Sequence, residues 1–268
     1  MMKADVSEIL VAREISKTYF DPTFGENVHA LDAISLSIRA HEFVSVIGPS
    51  GCGKSTFLRI VAGLDRPTGG EIRVSGNKVM GPGADRGMVF QEYALLPWKT
   101  TQANVEFGLR LKGVARVERA RVAHRFIDLV GLSGFENKYP HQLSGGMRQR
   151  AAVARVLANN PTVLLMDEPF AAVDAMTRQR LQEELTVITK TERTTVLFVT
   201  HAIDEAVFLS DRVVALSGRP GRIVADIAID LPRPRQWSEL IRDTRFQQYR
   251  DLLTAKIERT GGHAEAHS

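Results

Sequence analysis

Hydrophobic and polar positions follow two different periods along this chain, and the change of period divides it into regions. Over residues 9–38 apolar and polar residues alternate in short runs, which is typical of half-buried strands. The turn-rich segment 21–27 interrupts these runs, so the region predicts a small antiparallel sheet. From about residue 101 to residue 156 the apolar positions recur at helical spacing, with a break at residues 131–134. We therefore expect a helical subdomain, at about residues 98–156, inserted in the middle of the chain.

Three short apolar runs show no alternation. Residues 43–47 predict an apolar strand. Residues 162–166 and 195–199 are apolar, β-branched runs bounded by turns or polar residues, which is typical of strands that are buried on both faces. A helix is predicted over residues 56–62, and an amphipathic helix over residues 174–189. Strand, helix and strand in this order predict an α/β fold with a parallel sheet and right-handed crossovers.

The remaining segments are assigned from their turn residues. Further strands are predicted over residues 71–74 and 86–90. Beyond residue 230, a segment rich in proline and arginine is followed by a polar end, and this predicts an appendage with a frayed terminus. We therefore expect a main domain of residues 1–230 and a partly flexible C-terminal extension of residues 231–268.

The loop after the strand 43–47 has the pattern G-x-x-x-x-G-K-[ST], which predicts that a nucleoside triphosphate binds here. Its glycines let the backbone turn tightly and approach a ligand closely. Backbone N–H groups and the positive end of the following helix dipole would then hold phosphate. Lys54 can reach the β- and γ-phosphates, and the Ser55 hydroxyl can bind Mg²⁺. The residues predicted to contact the nucleotide in this loop are Gly48, Pro49, Ser50, Gly51, Cys52, Gly53, Lys54, Ser55 and Thr56.

Composition narrows the class of protein. The chain has 268 residues, 44% of them hydrophobic, which is enough for a substantial core in one or two domains. No apolar run approaches the ~20 residues that span a bilayer, and the first residues do not form the apolar h-region of a signal peptide. We therefore expect a cytosolic protein unless a partner holds it at a membrane. The single cysteine, Cys52, excludes an internal disulfide and a thiolate metal cluster.

The charge of the chain is mildly basic, at +4. It is compatible with anionic ligands or a membrane surface and demonstrates neither. Basic residues gather between residues 110 and 125, but apolar residues recur among them at helical spacing. This favours the solvated face of a helix over a nucleic-acid surface, so we expect no nucleic-acid partner.

Two carboxylates follow the apolar run 162–166. Asp167 and Glu168 stand where that strand should end, and ligands bind at the carboxyl ends of the strands in an open parallel sheet. Asp167 can support Mg²⁺. Glu168 can act as a general base towards the attacking water if it lies within hydrogen-bond reach. Such a pair alone is weak evidence, because solvated carboxylates are common at strand ends, but with the phosphate loop it predicts hydrolysis.

The run Leu143-Ser-Gly-Gly-Met-Arg-Gln-Arg, ahead of a helical segment, resembles the signature motif of ABC-type ATPases, whose usual form is L-S-G-G-Q. Ser144, Gly145 and Gly146 would open a helix whose N-terminus can face a γ-phosphate. In the family this motif acts across a dimer. The alternative is that Ser144 only caps its helix. Met147 departs from the usual glutamine and cannot supply its amide hydrogen bonds.

The resemblance implies roles for further residues. Tyr19 is similar to the aromatic residue that stacks on adenine, although a strand tyrosine can also pack on the core. Gln91 matches the glutamine that contacts Mg²⁺ and water and senses the membrane partner. His201 matches the histidine that contacts the γ-phosphate. Asp174 matches the loop that crosses the dimer interface, and Ala171 replaces a residue there that is often serine. The fold implied is a P-loop NTPase of RecA-like type.

Two segments indicate which kind of ABC protein the chain resembles. Residues 91–98 and 216–222 resemble ATP-binding subunits of the nitrate/sulfonate/taurine importer family. The resemblance implies an ATPase that binds ATP and Mg²⁺ as a homodimer, on the cytoplasmic face of the inner membrane. Its partners would be integral membrane permease subunits and, indirectly, an external solute-binding protein. Leu95, Leu96 and Trp98 would form a groove for the permease, or they would only pack the helical subdomain.

The sequence alone does not exclude other classes of ABC protein. Exporter-associated cassettes share this core, and so do soluble ABC proteins that act on DNA or ribosomes. The soluble class is expected to carry a coiled-coil insertion or a second cassette, and the chain shows neither. The transported solute is selected by the permease and the binding protein, so the chain does not identify it.

Overall fold

The computed structural model describes residues 8–23 and 25–261, with side chains described to residue 258. Its strands form two sheets. The first sheet is antiparallel, in the order β2-β1-β4-β5, with β1 (Glu8–Asp21), β2 (Glu26–Arg39), β4 (Gly69–Val74) and β5 (Asn77–Lys78). This confirms the predicted antiparallel sheet. The turn-rich segment predicted at 21–27 coincides with the connection between its two long strands, since β1 ends at Asp21 and β2 begins at Glu26.

The second sheet has the order β10-β9-β3-β8-β7-β6. Its strands are β3 (Phe43–Ile47), β6 (Arg86–Val89), β7 (Val163–Asp167), β8 (Thr195–Val199), β9 (Arg212–Leu216) and β10 (Ile223–Ala228). All neighbouring pairs are parallel except β9 and β10. The predicted parallel core is therefore confirmed, with one antiparallel strand at its edge.

Nine helices cross or flank these sheets in the part of the chain described. They are α1 (Lys54–Ala62), α2 (Thr101–Val105), α3 (Phe107–Leu111), α4 (Arg116–Leu129), α5 (Gly145–Leu157), α6 (Ala175–Thr191), α7 (Ile203–Leu209), α8 (Trp237–Leu240) and α9 (Thr244–Gly261). Helices α2 to α5 form the expected helical region, and residues 131–134 interrupt it as predicted. None of the helices in the described ranges is long and apolar enough to cross a membrane.

The parallel sheet is buried on both faces because its side chains alternate between two cores. In β3, Val44 and Val46 belong to the core shared with α1 and the antiparallel sheet. Phe43 and Ile47 belong to the core shared with the helical region. Ser45, also fully buried, hydrogen-bonds the Ser210 hydroxyl. The absence of alternation in the sequence therefore reflects burial on both sides.

Helix α1 begins at Lys54, two residues before the predicted start. Gly53 precedes it with φ +101°, and Gly63 ends it with φ +76°. Both glycines adopt the left-handed conformation that residues with a Cβ avoid. The helix that was predicted over residues 174–189 begins at Ala175, with Asp174 as its N-cap, and continues to Thr191.

The C-terminal segment packs against the core, which the sequence pattern did not indicate. Leu231, Leu240, Phe246 and Leu253 are all buried and belong to the core beneath the helical region. Arg235 is buried as well, and its guanidinium donates to five backbone carbonyls, those of Val207, Phe208, Ser210, Ile229 and Leu231. Residues 262–268, where the frayed end was predicted, lie outside the described residues. The division of the chain at residue 230 stays a prediction.

Candidate nucleotide site

The phosphate loop joins β3 to α1 and is fixed by close backbone packing. A Cβ on Gly53 would lie 2.6 Å from Leu31 Cδ2 and 2.7 Å from Ala30 O. A Cβ on Gly48 would lie 2.9 Å from Leu216 O. Gly51 has φ +74° and an exposed surface. Glycine is therefore required at positions 48 and 53 by packing and at position 51 by backbone conformation.

Lys54 is placed by the loop itself. Lys54 is 5% exposed, and its ammonium donates to the carbonyl oxygens of Gly48 at 2.8 Å and Pro49 at 2.9 Å. An ammonium has three donors. The third can serve an anion held by the loop.

The other loop residues differ in what they offer a ligand. The Cys52 side chain is 1% exposed, and burial raises the pKa of its thiol. Cys52 can therefore contact a nucleotide only through its backbone. Ser50 and Ser55 are exposed, and Pro49 and Thr56 are half-buried.

Ser55 connects the loop to the end of β7. Its hydroxyl donates to Asp167 Oδ1 at 2.8 Å. Burial, and then the neighbouring charge of Glu168, raise the pKa of Asp167, while the hydrogen bond from Ser55 opposes that shift. A hydroxyl and a carboxylate oxygen are hard ligands of the kind that Mg²⁺ takes in addition to substrate phosphates. The donor set therefore fits Mg²⁺, although no cluster of three or more His, Cys, Asp or Glu ligands occurs in the described ranges.

Glu168 and His201 meet at the same edge of the sheet. Strands β7 and β8 are adjacent and parallel, with Asp167 paired to Val199, so the residues that follow them are neighbours. Nδ1 of His201 lies 3.0 Å from Glu168 Oε2. The predicted general base and the predicted phosphate-contacting histidine are thus brought together in one chain.

Gln91 lies just beyond β6, which pairs with β7. It is exposed, and its side chain makes no hydrogen bond to another predicted site residue among those described. The following turn is held by Arg155 of α5, which donates to Ala94 O at 2.6 Å and Tyr93 O at 3.3 Å. Tyr93 and Ala94 both have positive φ. No sequence signal marks this arginine, because it stands within an ordinary helical run.

Tyr19 is not part of the core, since it is 39% exposed. Its hydroxyl donates to Asp65 Oδ2 at 2.6 Å, and the Lys17 ammonium lies 4.7 Å from the centroid of its ring. Burial, followed by the hydrogen bond to Asp65, raises the pKa of Tyr19. The ring is therefore anchored by Asp65 and Lys17, with surface left for a ligand.

Ser144 is the N-cap of α5, where its hydroxyl accepts from Met147 N at 3.3 Å. Gly145 and Gly146 follow in the first turn, and a Cβ on Gly146 would lie 2.8 Å from Thr177 Cγ2. The capping role is thus confirmed. In the part of the chain that is described, no hydrogen bond joins Ser144 to the phosphate loop. Any contact of this motif with a nucleotide must be argued from another copy of the chain.

For residues 95–98 the two alternatives were a groove for the permease and packing of the helical subdomain. Leu95 packs against the core, and Leu96 is half-buried. Trp98 is 70% exposed. Packing of the helical region therefore explains the two leucines and leaves the indole unexplained.

A phosphate loop after one parallel strand, with two carboxylates after another, defines a P-loop nucleoside triphosphatase. The model of the ABC transporter family matches residues 31–171. An uncharacterised ABC transporter ATP-binding protein of Methanocaldococcus jannaschii is 58% identical over 229 residues, which cover 85% of this chain and 84% of that protein. The chain therefore belongs to the ABC transporter ATP-binding family, and it is an ATPase that binds ATP.

Further relatives have named functions. The nitrate import ATP-binding protein of Synechocystis is 48% identical over 236 residues, covering 86% of this chain and 89% of that protein. The taurine import ATP-binding protein of Rhizobium johnstonii is 48% identical over 218 residues, covering 81% and 83%. A solved dimeric structure of a bacterial ABC transporter cassette is 34% identical, with a TM-score of 0.73, and covers 83% of this chain and 100% of that one.

Proposed function

We propose that this chain is the ATP-hydrolysing subunit of an ABC importer for a small, anionic solute such as nitrate, a sulfonate or taurine. The observation that carries the importer role is the similarity, over more than four-fifths of both chains, to nitrate and taurine import subunits. An exporter subunit or a soluble ABC protein would share the ATPase site, so the site itself does not separate these classes.

The binding step follows from the phosphate loop. Its backbone N–H groups and Lys54 hold the β- and γ-phosphates, and Tyr19 offers its ring to the adenine. Ser55, Asp167 and Gln91 would hold Mg²⁺, which neutralises charge on the phosphates when bound. The Ser55–Asp167 hydrogen bond supports this assignment, because it brings two hard oxygen ligands together beside the loop.

The hydrolytic step uses the pair at the ends of β7 and β8. One oxygen of Glu168 faces His201 Nδ1, and the other is available to accept a proton from water. That water attacks the γ-phosphorus, the bond to the β-phosphate oxygen breaks, and ADP and phosphate leave. His201 faces Glu168 with Nδ1, which leaves Nε2 as the ring nitrogen that can contact the γ-phosphate.

We also propose that a second copy of this chain completes the site. Ser144, Gly145 and Gly146 lie on the helical region and make no hydrogen bond to the phosphate loop among the described residues. In a head-to-tail homodimer, the N-terminus of α5 from one protomer would face the γ-phosphate bound by the other. The related cassette whose structure is dimeric supports this arrangement. ATP then becomes part of the interface, and hydrolysis releases it.

The permease would dock beside the exposed Trp98. An open cleft nearby is lined by Met88, Phe107 and Leu111, and the Lys99 ammonium lies 5.7 Å from the Phe107 ring. Exposed aromatic residues are typical anchors of interfaces. The subunit would then be peripheral, on the cytoplasmic face of the inner membrane. An external solute-binding protein would deliver the solute to the permease.

The test is uptake in a strain that lacks the gene for this chain. We expect loss of uptake of one small anion, recovery with the parent gene and no recovery with Glu168→Gln. The permease should co-purify with both forms. Normal uptake of nitrate, sulfonates and taurine by the deletion strain, with a soluble partner recovered instead, would overturn the importer role.

A further inference from the structure

A chain of buried polar side chains connects the C-terminal segment to α7. Trp237 Nε1 donates to Gln182 Oε1 at 2.9 Å, and Gln182 Nε2 donates to Glu205 Oε1 at 2.7 Å. Gln182 is 2% exposed and Glu205 is 6% exposed. Buried polar groups are retained at low free-energy cost only when they are hydrogen-bonded. The three side chains therefore fix one another's positions.

The same carboxylate lies close to the loop that carries His201. Glu205 is in the first turn of α7, and Ala202, the N-cap of that helix, directly follows His201. Thr200 is buried, and its Oγ1 accepts from Ala202 N at 3.0 Å. This bond closes the backbone around His201. The backbone from which His201 extends towards Glu168 therefore leads directly into the helical turn that contains Glu205.

Aromatic packing holds the far end of the chain of hydrogen bonds. The Trp237 ring stacks on Phe208 with centroids 4.2 Å apart, and it meets Phe246 edge-on at 6.0 Å. Trp237 N also donates to Glu183 Oε1 at 3.0 Å. Because Phe208 is on α7 with Glu205, the C-terminal segment fixes this helix both by stacking and through Gln182.

We propose that Trp237, Gln182 and Glu205 are positioning residues for ATP hydrolysis, which keep the 200–202 turn in place so that His201 stays paired with Glu168. They touch neither nucleotide nor water themselves. The proposal rests on the proposed role of His201. It gives the C-terminal segment a part in the reaction, although that segment lies after the last strand of the ATPase sheet.

The first experiment removes one hydrogen bond and keeps the stacking. Trp237→Phe loses the Nε1 donor to Gln182. We expect kcat to fall about 2- to 10-fold, which is the rate equivalent of one net hydrogen bond. KM for ATP should change less than about twofold, because none of these residues contacts the phosphate loop or Tyr19. The matched control is Tyr249→Phe, which removes the hydroxyl that accepts from Asp230 N in the same C-terminal segment. It should keep the parental kcat.

The second experiment tests rescue at the centre of the chain. Glu205→Met keeps the length of the side chain and removes both acceptors, so we expect a larger fall in kcat than with Trp237→Phe. Glu205→Gln keeps one oxygen and should recover part of that loss. Circular dichroism and thermal melting identify any variant that is not folded, and Trp237→Phe remains informative in that case.

His201→Ala distinguishes the role of His201 in hydrolysis from the positioning role of the side chains that hold its loop. If it lowers kcat while Trp237→Phe and Glu205→Met keep the parental value, the positioning role is wrong and the role of His201 stands. If His201→Ala keeps full activity, both are wrong. Equal losses with Trp237→Phe and Tyr249→Phe would also overturn the positioning role, because general loosening of the segment would then explain them.

Discussion

Nδ1 of His201 lies 3.0 Å from Oε2 of Glu168, across two neighbouring strand ends. Glu168 has φ +42°, and its backbone N–H donates to Val199 O at 2.9 Å. Positive φ is uncommon for a residue with a Cβ and often marks functional sites. The sheet therefore holds the carboxylate against the histidine rather than leaving it to solvent.

Glu168→Gln tests the carboxylate as general base. The amide keeps the size of the side chain but cannot accept a proton from water, so we expect hydrolysis to slow about 10²- to 10⁴-fold. ATP binding should be unchanged, and ATP should then trap a dimer. Single-turnover hydrolysis, equilibrium binding and size-exclusion chromatography with ATP measure the three effects. Glu118→Gln, on the exposed face of α4, is the control, and normal hydrolysis by Glu168→Gln would refute the assignment.

Asp167→Asn tests whether burial of the Asp167 carboxylate lowers the stability of the folded protein. Burial raises the pKa of Asp167, so ionisation is harder in the folded state than in the unfolded state. As pH rises from the ordinary carboxyl range through the raised pKa, the unfolded state loses its proton first and stability falls. We expect Asp167→Asn to be more stable than the parent at neutral pH, with an advantage that shrinks as the pH is lowered through this window.

Denaturant unfolding of both proteins over that pH range measures the difference, and ATPase assays should show that the more stable variant is inactive. A variant that is less stable than the parent at neutral pH would show that the hydrogen bond from Ser55 to the charged carboxylate outweighs the cost of burial. Ser55→Ala, which removes this hydrogen bond and keeps the carboxylate, is the matched comparison.

Tyr19→Ala tests adenine stacking. Stacking of a base on an aromatic ring is worth about 1–3 kcal/mol, so KM for ATP should rise about 5- to 150-fold with little change in kcat. Tyr19→Phe keeps the ring and loses the hydrogen bond to Asp65, and its KM should stay near that of the parent. Equal effects of the two substitutions would mean that the hydroxyl, and not the ring, is what matters.

The sequence predicted those parts of the site that depend on local chain geometry. The phosphate loop needs glycine where φ is positive or where a Cβ would collide, and Gly48, Gly51 and Gly53 stand at those positions. The Glu168–His201 contact could be expected because parallel strands end at one edge. The sequence could not show that Trp237, Gln182 and Glu205 meet, because polar residues at helical spacing look like solvated positions until tertiary packing buries them.

Trp98→Ala tests the permease contact. The indole is exposed, and truncation of an aromatic interface anchor costs about 2 kcal/mol or more, which is roughly a 30-fold loss of affinity. We expect weaker co-purification with the permease and reduced uptake, with the ATPase activity of the isolated subunit unchanged. Val117→Ala is the control, since Val117 is also exposed on the helical region. Full co-purification of Trp98→Ala would place the docking surface elsewhere.

Mixing two inactive variants tests the composite site. Lys54→Ala removes a cation from the phosphate loop, and Ser144→Ala removes the hydroxyl at the N-terminus of α5. In a head-to-tail heterodimer of the two, one site carries both defects and the other carries neither. We therefore expect each variant alone to be inactive and the mixture to regain ATPase activity. A double variant carrying both substitutions on one chain, mixed with either single variant, has no intact site and is the control. If Ser144→Ala alone keeps full activity, Ser144 serves only as the cap of α5. The Ser144 hydroxyl then takes no part in a site completed by a second copy of the chain.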